Sequence, residues 1–203
     1  MNLKKNLVWD AHSGLFPSSE MDLDNLLSWQ EYNVNYLSIN VGFDVMSRDA
    51  TLATLAAYRR WLMARPDQFL LAGTLSDIYN ARDKGRLAIS FDIEGMNALG
   101  GDINMVEIYH TLGVRQMLFA YNLNNSAAGG CHDIDIPLTK FGVEILAEMN
   151  RVGIIVDASH VSYLSSMELI ERSSSPVVFS HSNPWSIWRH QRNIKDEQIK
   201  ACA

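Results

Sequence analysis

Two histidines in the last third of the chain have the type and placement of metal ligands. His160 and His181 each close a short apolar run, in the segments VDASH and VVFSH. Apolar and β-branched residues favour strands, so each imidazole is predicted to stand at the carboxyl end of a strand. Neutral imidazole is a good ligand for a divalent transition metal such as zinc. Two successive strands that end on the same residue type indicate two side chains directed at one point.

Two earlier apolar runs end on residues of the same ligand class. The segment NLVWDAH ends at His12, and RLAISFDIEG carries Glu94 next to its final glycine. A carboxylate buried without a partner is costly, so Glu94 requires a cation or a hydrogen-bond donor. Three imidazoles and one carboxylate suit zinc, which lowers the pKa of bound water toward about 7 and thereby supplies hydroxide. The pattern therefore predicts a zinc site built from side chains at four strand ends.

Strand-like and helix-like segments alternate along the whole chain. The patterns predict strands over 6–12, 34–42, 86–95, 115–122, 153–160 and 176–183, and helices over 50–64, 102–112, 139–152 and 162–172. The run 69–74 is ambiguous, Ser76 is predicted to cap the helix that follows it, and a last helix is predicted to start after Asn193.

This alternation is typical of βαβ units and a parallel sheet. No GxGxxG motif follows the first strand and no GxxxxGK[ST] motif occurs, which disfavours Rossmann and P-loop folds. A (β/α) barrel places its chemistry at the carboxyl ends of its strands, where the four candidate ligands are predicted to lie. The chain is therefore expected to form one α/β barrel domain over residues 1–203.

Composition and charge exclude several classes of partner. The formal net charge is −6, and no basic patch suited to nucleic acid or an anionic membrane is evident. No apolar run approaches the roughly 20 residues of a membrane span. The apolar stretch Leu7–Trp9 is shorter than the roughly 7–15 residues of a signal-peptide core. Cys131 and Cys202 lack a CxxC or zinc-finger spacing and are read as free thiols, so we expect a cytoplasmic protein.

From about Leu7 to Ala203, nearly its whole length, the chain resembles the membrane dipeptidase (peptidase M19) family. The resemblance is carried by LTKFGVEILAEMNRVGIIVDASHVS and SPVVFSHSNPWSIWRHQRNIKDEQI, and the segments DIEG and NN also match. This resemblance implies a (β/α)8 TIM barrel of the metal-dependent hydrolase type with two zinc ions. It also implies that hydroxide held between the ions attacks the peptide carbonyl of a dipeptide.

The resemblance assigns roles residue by residue. Glu94 resembles the carboxylate that bridges the two zinc ions, while His160 and His181 resemble the ligands of one ion. His12 resembles a ligand of the other ion. Arg192 falls where the family has an arginine that grips the carboxyl-terminal carboxylate of the substrate, a role that suits a bidentate guanidinium.

The sequence departs from the family pattern at three points. Gly14 occupies the place of an aspartate ligand beside His12, so the ion on that side is expected to be weak or absent. Tyr121 aligns with a histidine that polarises the scissile carbonyl, and its hydroxyl can still donate one hydrogen bond. The family's catalytic aspartate lies on an eighth strand, whereas only six strands are evident. We therefore expect a barrel that lacks about two βα units and a homo-oligomer formed along its open edge.

These expectations favour a zinc-dependent dipeptidase that cleaves dipeptides with metal-activated water. The alternative is a catalytically impaired relative that binds metal or a small peptide, which Gly14 favours. Another kind of amidohydrolase would be indicated by a His-x-His on the first strand or a bridging lysine, and neither is present. A purely structural module would not explain ligand-type residues at four strand ends.

Overall fold

A computed structural model describes residues 6–203, which form a parallel sheet of seven strands with associated helices. The strands are β1 (Trp9–Ser13), β2 (Tyr36–Phe43), β3 (Phe69–Leu71), β4 (Leu87–Glu94), β5 (Val114–Leu118), β6 (Ile155–Asp157) and β7 (Val177–Val178). The helices are α1 (Leu26–Glu31), α2 (Arg48–Met63), α3 (Leu75–Asp83), α4 (Met105–Leu112), α5 (Lys140–Val152), α6 (Tyr163–Arg172) and α7 (Asp196–Cys202), with a 3₁₀ turn at Asn97–Leu99.

The strand order follows the chain in the manner of a (β/α) barrel. The main path runs β1-β2-β4-β5-β6-β7, and every neighbouring pair is parallel. The short strand β3 pairs with the first half of β4 and lies off this path. Within the described residues β1 and β7 are the two edges of the sheet. The predicted α/β fold, a partial TIM barrel, is confirmed, with six strands along the main path and β3 beside it.

The two longest strands, β2 and β4, form the centre of the core. Their apolar residues, including Ile39, Val41, Phe91 and Ile93, are fully buried. Strands covered on both faces must be apolar along their length, which explains why β2 and β4 read as nearly continuous hydrophobic runs. Polar residues that interrupt such runs at every second position share one face of the strand.

The pairing register brings the ends of neighbouring strands to one level. Glu94 on β4 is opposite Phe43 on β2 and Leu118 on β5, and Leu118 is in turn opposite Asp157 on β6. Asp157 is opposite Val178 on β7. The carboxyl ends of these strands therefore meet at one edge, as a parallel sheet requires.

Strands β6 and β7 are shorter than their apolar runs predict. Oδ1 of Asp157 accepts a hydrogen bond from the backbone N–H of Ser159 at 2.8 Å, which turns the chain out of the sheet. His160 then adopts a left-handed conformation with φ of 65°, which is uncommon for a residue other than glycine. The last residues of the VDASH segment therefore form a turn above the strand end.

The helix that follows β3 begins two residues earlier than predicted, and Ser76 is not its cap. Thr74 takes that position, and its side chain accepts a hydrogen bond from the backbone N–H of Asp77 at 3.2 Å. The Asp77 carboxylate accepts one in return from the backbone N–H of Thr74 at 2.8 Å. This reciprocal capping box satisfies two otherwise unpaired donors, which is why Thr74 starts the helix.

Two further expectations can be compared with the described residues. Cys131 and Cys202 are both free, as predicted. None of the helices in this part of the chain combines the length and the apolar character needed to cross a lipid bilayer.

The cap assignment predicts unequal effects of two neighbouring substitutions. Thr74→Ala removes the side chain that accepts from Asp77, so the free energy of unfolding is expected to fall by about 1 kcal/mol. The matched control Ser76→Ala alters an exposed side chain inside the helix and should change that energy by less than about 0.5 kcal/mol. Urea unfolding of the two variants measures this, and a larger loss for Ser76→Ala would contradict the assignment.

Candidate metal centre

The carboxylate of Glu94 lies at the centre of the strand ends. Glu94 closes β4 and is only 7% exposed. Its Oε1 is 3.2 Å from Nε2 of His12, and its Oε2 is 3.3 Å from Nε2 of His160. The two oxygens of one carboxylate therefore face two different imidazoles, an arrangement that suits a bridging ligand.

His181 is the fourth residue at these strand ends, and it contacts both His160 and His12. Its Nε2 is 2.9 Å from Nε2 of His160, and its ring stacks on the ring of His12 with centroids 4.1 Å apart. Donor atoms of His12, Glu94 and His181 all lie within 4.8 Å of one another. The structure thus brings together the four residues predicted from the strand ends, here called the histidine–glutamate cluster. Their role as metal ligands stays a prediction.

Each histidine of the cluster is held from behind through its Nδ1 atom. The pairs are His12 with Asp92 at 3.0 Å, His160 with Asn122 at 2.8 Å and His181 with Ser180 at 2.7 Å. Partners that grip the outer nitrogen of an imidazole fix its orientation and its tautomer, as is usual around metal-ligating histidines.

The chemistry of these partners determines where the imidazole protons lie. A carboxylate or an amide oxygen can only accept, so Nδ1 of His12 and Nδ1 of His160 must donate. The Ser180 hydroxyl donates its hydrogen to Asp157, so Nδ1 of His181 donates to Ser180. In the neutral rings Nε2 therefore carries a lone pair. The Nε2 atoms of His160 and His181 consequently face each other across 2.9 Å as two acceptors, which calls for a cation near them.

A second buried carboxylate, Asp92, supports the cluster from below. It is fully buried and accepts hydrogen bonds from Ser38 Oγ at 2.5 Å and from Asn40 Nδ2 at 3.2 Å. Asn40 also donates to Glu94 Oε1 at 2.9 Å. Sequence reasoning gave no role to Ser38 or Asn40. The available signal was their alternate spacing within the otherwise apolar strand β2, which directs both toward the same face.

A third buried carboxylate, Asp157, holds the opposite side. It accepts hydrogen bonds from Gln116 Nε2 at 2.8 Å and from the hydroxyl of Ser180. Because Ser180 also contacts His181, the charge of Asp157 reaches the cluster through one hydroxyl. Sequence reasoning assigned no role to Ser180, and the chain pattern carries no signal for it beyond its place next to His181.

The pKa values of the three histidines are shifted in opposite directions. Burial alone would lower the pKa of His12, but its hydrogen bonds to Asp92 and Glu94 outweigh burial and raise that pKa to about 10. Burial lowers the pKa of His160 to about 2 and that of His181 to about 3, and nearby positive charge adds to both shifts. Without an ion, His12 therefore carries the compensating proton, while the other two rings stay neutral and keep the lone pairs that a metal needs.

The spacing of the donor atoms fits a zinc ion. Two ligands about 2.0–2.1 Å from a tetrahedral zinc lie roughly 3.3 Å apart. The separation between Glu94 Oε2 and His160 Nε2 is 3.3 Å, and that between His160 Nε2 and His181 Nε2 is 2.9 Å. The residues present therefore fit a borderline-soft divalent cation with nitrogen and oxygen ligands.

Gly14 stands where the family pattern has an aspartate ligand on the His12 side, and the space around it is empty. Gly14 is exposed, and a Cβ built on it would have no atom within 4 Å. Position 14 therefore has room for a larger side chain but contributes no ligand atom. The His12 side of the cluster has His12 itself and one oxygen of Glu94, with the ring of His181 stacked beside it.

Arg192 lines a cavity on one side of the cluster. It donates from Nη1 to Ser182 Oγ and from Nη2 to the carbonyl oxygen of His181, both at 3.0 Å. These bonds occupy two of the five N–H donors of a guanidinium. The cavity, of about 280 Å³, is also lined by His160 and by Cys131 and Trp185. It is called the arginine cavity below.

Tyr121 lines a second cavity, which all four residues of the histidine–glutamate cluster border. Its ring packs on His160 at 4.8 Å and on Phe43 at 5.1 Å between centroids. The cavity measures about 450 Å³ and contains Phe16 as well as all four cluster residues. It is called the aromatic cavity below. His160 borders both cavities, so the two cavities adjoin at this residue.

Asp44 connects the loops that follow three of the strands. Its carboxylate accepts hydrogen bonds from the backbone N–H groups of Asn97 and Tyr121, each at 3.0 Å, and from Asn125 Nδ2 at 2.8 Å. Gly95 has φ of 106°, and a Cβ there would lie 2.1 Å from this carboxylate. Only glycine therefore allows Asp44 to reach under the loop after β4 and to position Tyr121.

Comparison with known proteins assigns the chain to a family. The chain matches the membrane dipeptidase family (peptidase family M19) over residues 2–203. It is 32% identical over 124 residues to an uncharacterised dipeptidase of Schizosaccharomyces pombe, a stretch that covers 59% of this chain and 30% of the relative. It is 31% identical over 144 residues to the dipeptidase aclJ of Aspergillus oryzae, covering 66% of this chain and 33% of the relative.

A solved structure gives the same result for the fold. The crystal structure of an amidohydrolase from Pseudomonas aeruginosa superposes with a TM-score of 0.91 at 28% identity, covering 98% of this chain and 60% of the other. The chain thus spans about a third of the length of the curated relatives and three fifths of this structure. The resemblance inferred from the motifs around His160 and His181 is confirmed, and the chain belongs to the membrane dipeptidase family, peptidase family M19.

Proposed function

We propose that this chain acts as a metal-dependent dipeptidase that holds zinc between Glu94, His160 and His181. The observation that carries the proposal is the pair of Nε2 acceptors 2.9 Å apart, with Glu94 Oε2 3.3 Å from one of them. Two lone pairs and a carboxylate converge there, and a divalent cation is the partner that satisfies all of them. Zinc bound in this way would supply a lowered pKa for water, toward about 7, and a polarised carbonyl.

The side chains around the cluster are suited to orienting a dipeptide. Arg192 has N–H donors beyond the two that anchor it, and a guanidinium binds a carboxylate through two parallel hydrogen bonds. We assign it the carboxyl-terminal carboxylate of the substrate. Tyr121, fixed through its backbone N–H by Asp44, is assigned the donation of one hydrogen bond to the substrate carbonyl.

A second candidate function is retention of metal or peptide without hydrolysis. Gly14 favours it, because the His12 side lacks the anionic ligand that a second ion needs. Zinc retained by a protein that shows no hydrolysis of any dipeptide would support this alternative over the first.

Zinc-dependent hydrolysis of a simple dipeptide is the direct test of the proposed function. Chelated protein should be inactive toward Ala-Ala and regain activity with zinc, and Glu94→Gln should lower kcat/KM by more than about 100-fold because it removes a central ligand. The matched control Glu171→Gln changes an exposed carboxylate on α6 and should leave the rate unchanged. Activity that survives chelation, or that Glu94→Gln leaves intact, would reject the proposal.

The open position at Gly14 predicts the number of bound ions. The unmodified protein should retain about one zinc per chain after dialysis, since Glu94, His160 and His181 supply three ligands to one ion, whereas the other side offers only His12 and one oxygen of Glu94. Gly14→Asp should raise the stoichiometry toward two, and nothing within 4 Å opposes its side chain. Gly14→Ala controls for the added Cβ and should stay at one. Two zinc ions in the unmodified protein would contradict this prediction.

The assignment of Arg192 predicts selectivity for a free carboxylate. The wild-type protein should cleave a dipeptide about 10-fold to 100-fold more efficiently than the same dipeptide amide, because charge-assisted hydrogen bonds contribute about 1.5–3 kcal/mol. Arg192→Ala should remove this preference while zinc content is kept. The control Arg189→Ala, in the same loop and stacked on Trp185, should preserve it. An equal loss for acid and amide would indicate that Arg192 only supports the backbone of His181.

A further inference from the structure

The walls of the aromatic cavity differ from those of the arginine cavity. Phe16, Phe43, Tyr121 and His160 form a continuous series of ring contacts, with centroids 5.8, 5.1 and 4.8 Å apart. Leu15 and Pro17 also line this cavity. The series begins at the exposed rim and ends on a member of the histidine–glutamate cluster.

Charge is confined to the floor of the aromatic cavity. Apart from the cluster, the described residues that line it are all uncharged, and Asn40 among them is already hydrogen-bonded to Asp92 and Glu94. A charged side chain placed here would lose water without gaining a partner, which is unfavourable. An apolar or aromatic side chain would instead remove the exposed ring of Phe16, now 70% accessible, from water.

The position of the histidine–glutamate cluster indicates which end of a dipeptide would enter the aromatic cavity. Arg192 lines the other cavity, and His160 borders both. If Arg192 holds the carboxyl-terminal end and the peptide bond lies over the cluster, the amino-terminal residue extends into the aromatic cavity. Its volume of about 450 Å³ is ample for a large side chain.

We propose that the aromatic cavity receives the side chain of the substrate's amino-terminal residue and selects dipeptides with a large apolar or aromatic residue at that position. The proposal rests on the proposed function, since it takes the orientation of the dipeptide from Arg192. Phe16, Phe43 and Tyr121 are then the specificity-determining residues, with Phe16 at the entrance and Tyr121 next to the reacting bond.

Binding of non-hydrolysable mimics tests this independently of turnover. Phosphinate dipeptide mimics resemble the tetrahedral transition state and bind without being cleaved. Calorimetry with zinc-loaded full chain should give a Kd for the Phe-Ala mimic at least about 10-fold below that for Ala-Ala, because a filled apolar pocket discriminates by this factor. The Ala-Phe mimic should show no comparable gain.

Substitution of Phe16 tests whether the aromatic cavity is the source of this preference. Phe16→Ala should reduce the advantage of Phe-Ala over Ala-Ala by about threefold to tenfold, the value of one aromatic contact. Tyr32→Ala removes an equally exposed ring that lies after α1 and should have no effect. Phe16→Asp should improve binding of a Lys-Ala mimic, which supplies a positive charge at the same place.

The outcomes separate this proposal from the proposed function. Equal affinity for Phe-Ala and Ala-Ala, or tighter binding of Ala-Phe, would overturn the specificity and leave the dipeptidase assignment standing. The predicted preference in a protein that hydrolyses no dipeptide would support the specificity and reject the catalytic assignment. Absence of binding by every mimic would reject both.

Discussion

Three carboxylates buried at one end of a parallel sheet are the constraint on which the rest of the site depends. Asp92 and Asp157 are fully buried and Glu94 nearly so, and burial raises the pKa of both Glu94 and Asp157. Such groups are tolerated only if positive charge or donors surround them. The donors are the imidazoles, Asn40, Ser38 and Ser180. The strands bury the negative charge, and these polar side chains stabilise it.

The same constraint explains why the histidines are so well oriented. Asp92 acts on His12 directly and Asp157 acts on His181 through Ser180, so two buried charges hold two rings from behind. His12 has a pKa of about 10 and is therefore protonated, so its positive charge compensates the buried carboxylates. A bound divalent cation would replace that proton as the compensating charge. The site is therefore preorganised by its supporting carboxylates, and its ligand atoms need little rearrangement to receive an ion.

Sequence reasoning reached the elements whose signal is local and periodic. Continuous apolar runs predicted β2 and β4, and strand-end positions predicted the convergence around Glu94, because parallel strands end at one edge. It placed the N-terminal cap of α3 at Ser76. The true cap, Thr74, is distinguished only by its reciprocal hydrogen bonds with Asp77. The link from Asp157 through Ser180 to His181 could not be predicted, because it depends on how two neighbouring strands turn after their last pair.

Asp44 has a consequence for motion at the site. Its carboxylate joins the loops after β2, β4 and β5 through bonds to Asn97, Tyr121 and Asn125. Segments tied to one half-buried carboxylate by several hydrogen bonds open together or not at all, as a cooperative unit. The part of the aromatic cavity that Tyr121 lines should therefore keep its position when a molecule binds. Any closing movement over a bound molecule would then fall to the segments that carry Phe16 and Arg192, which approach from the two edge strands.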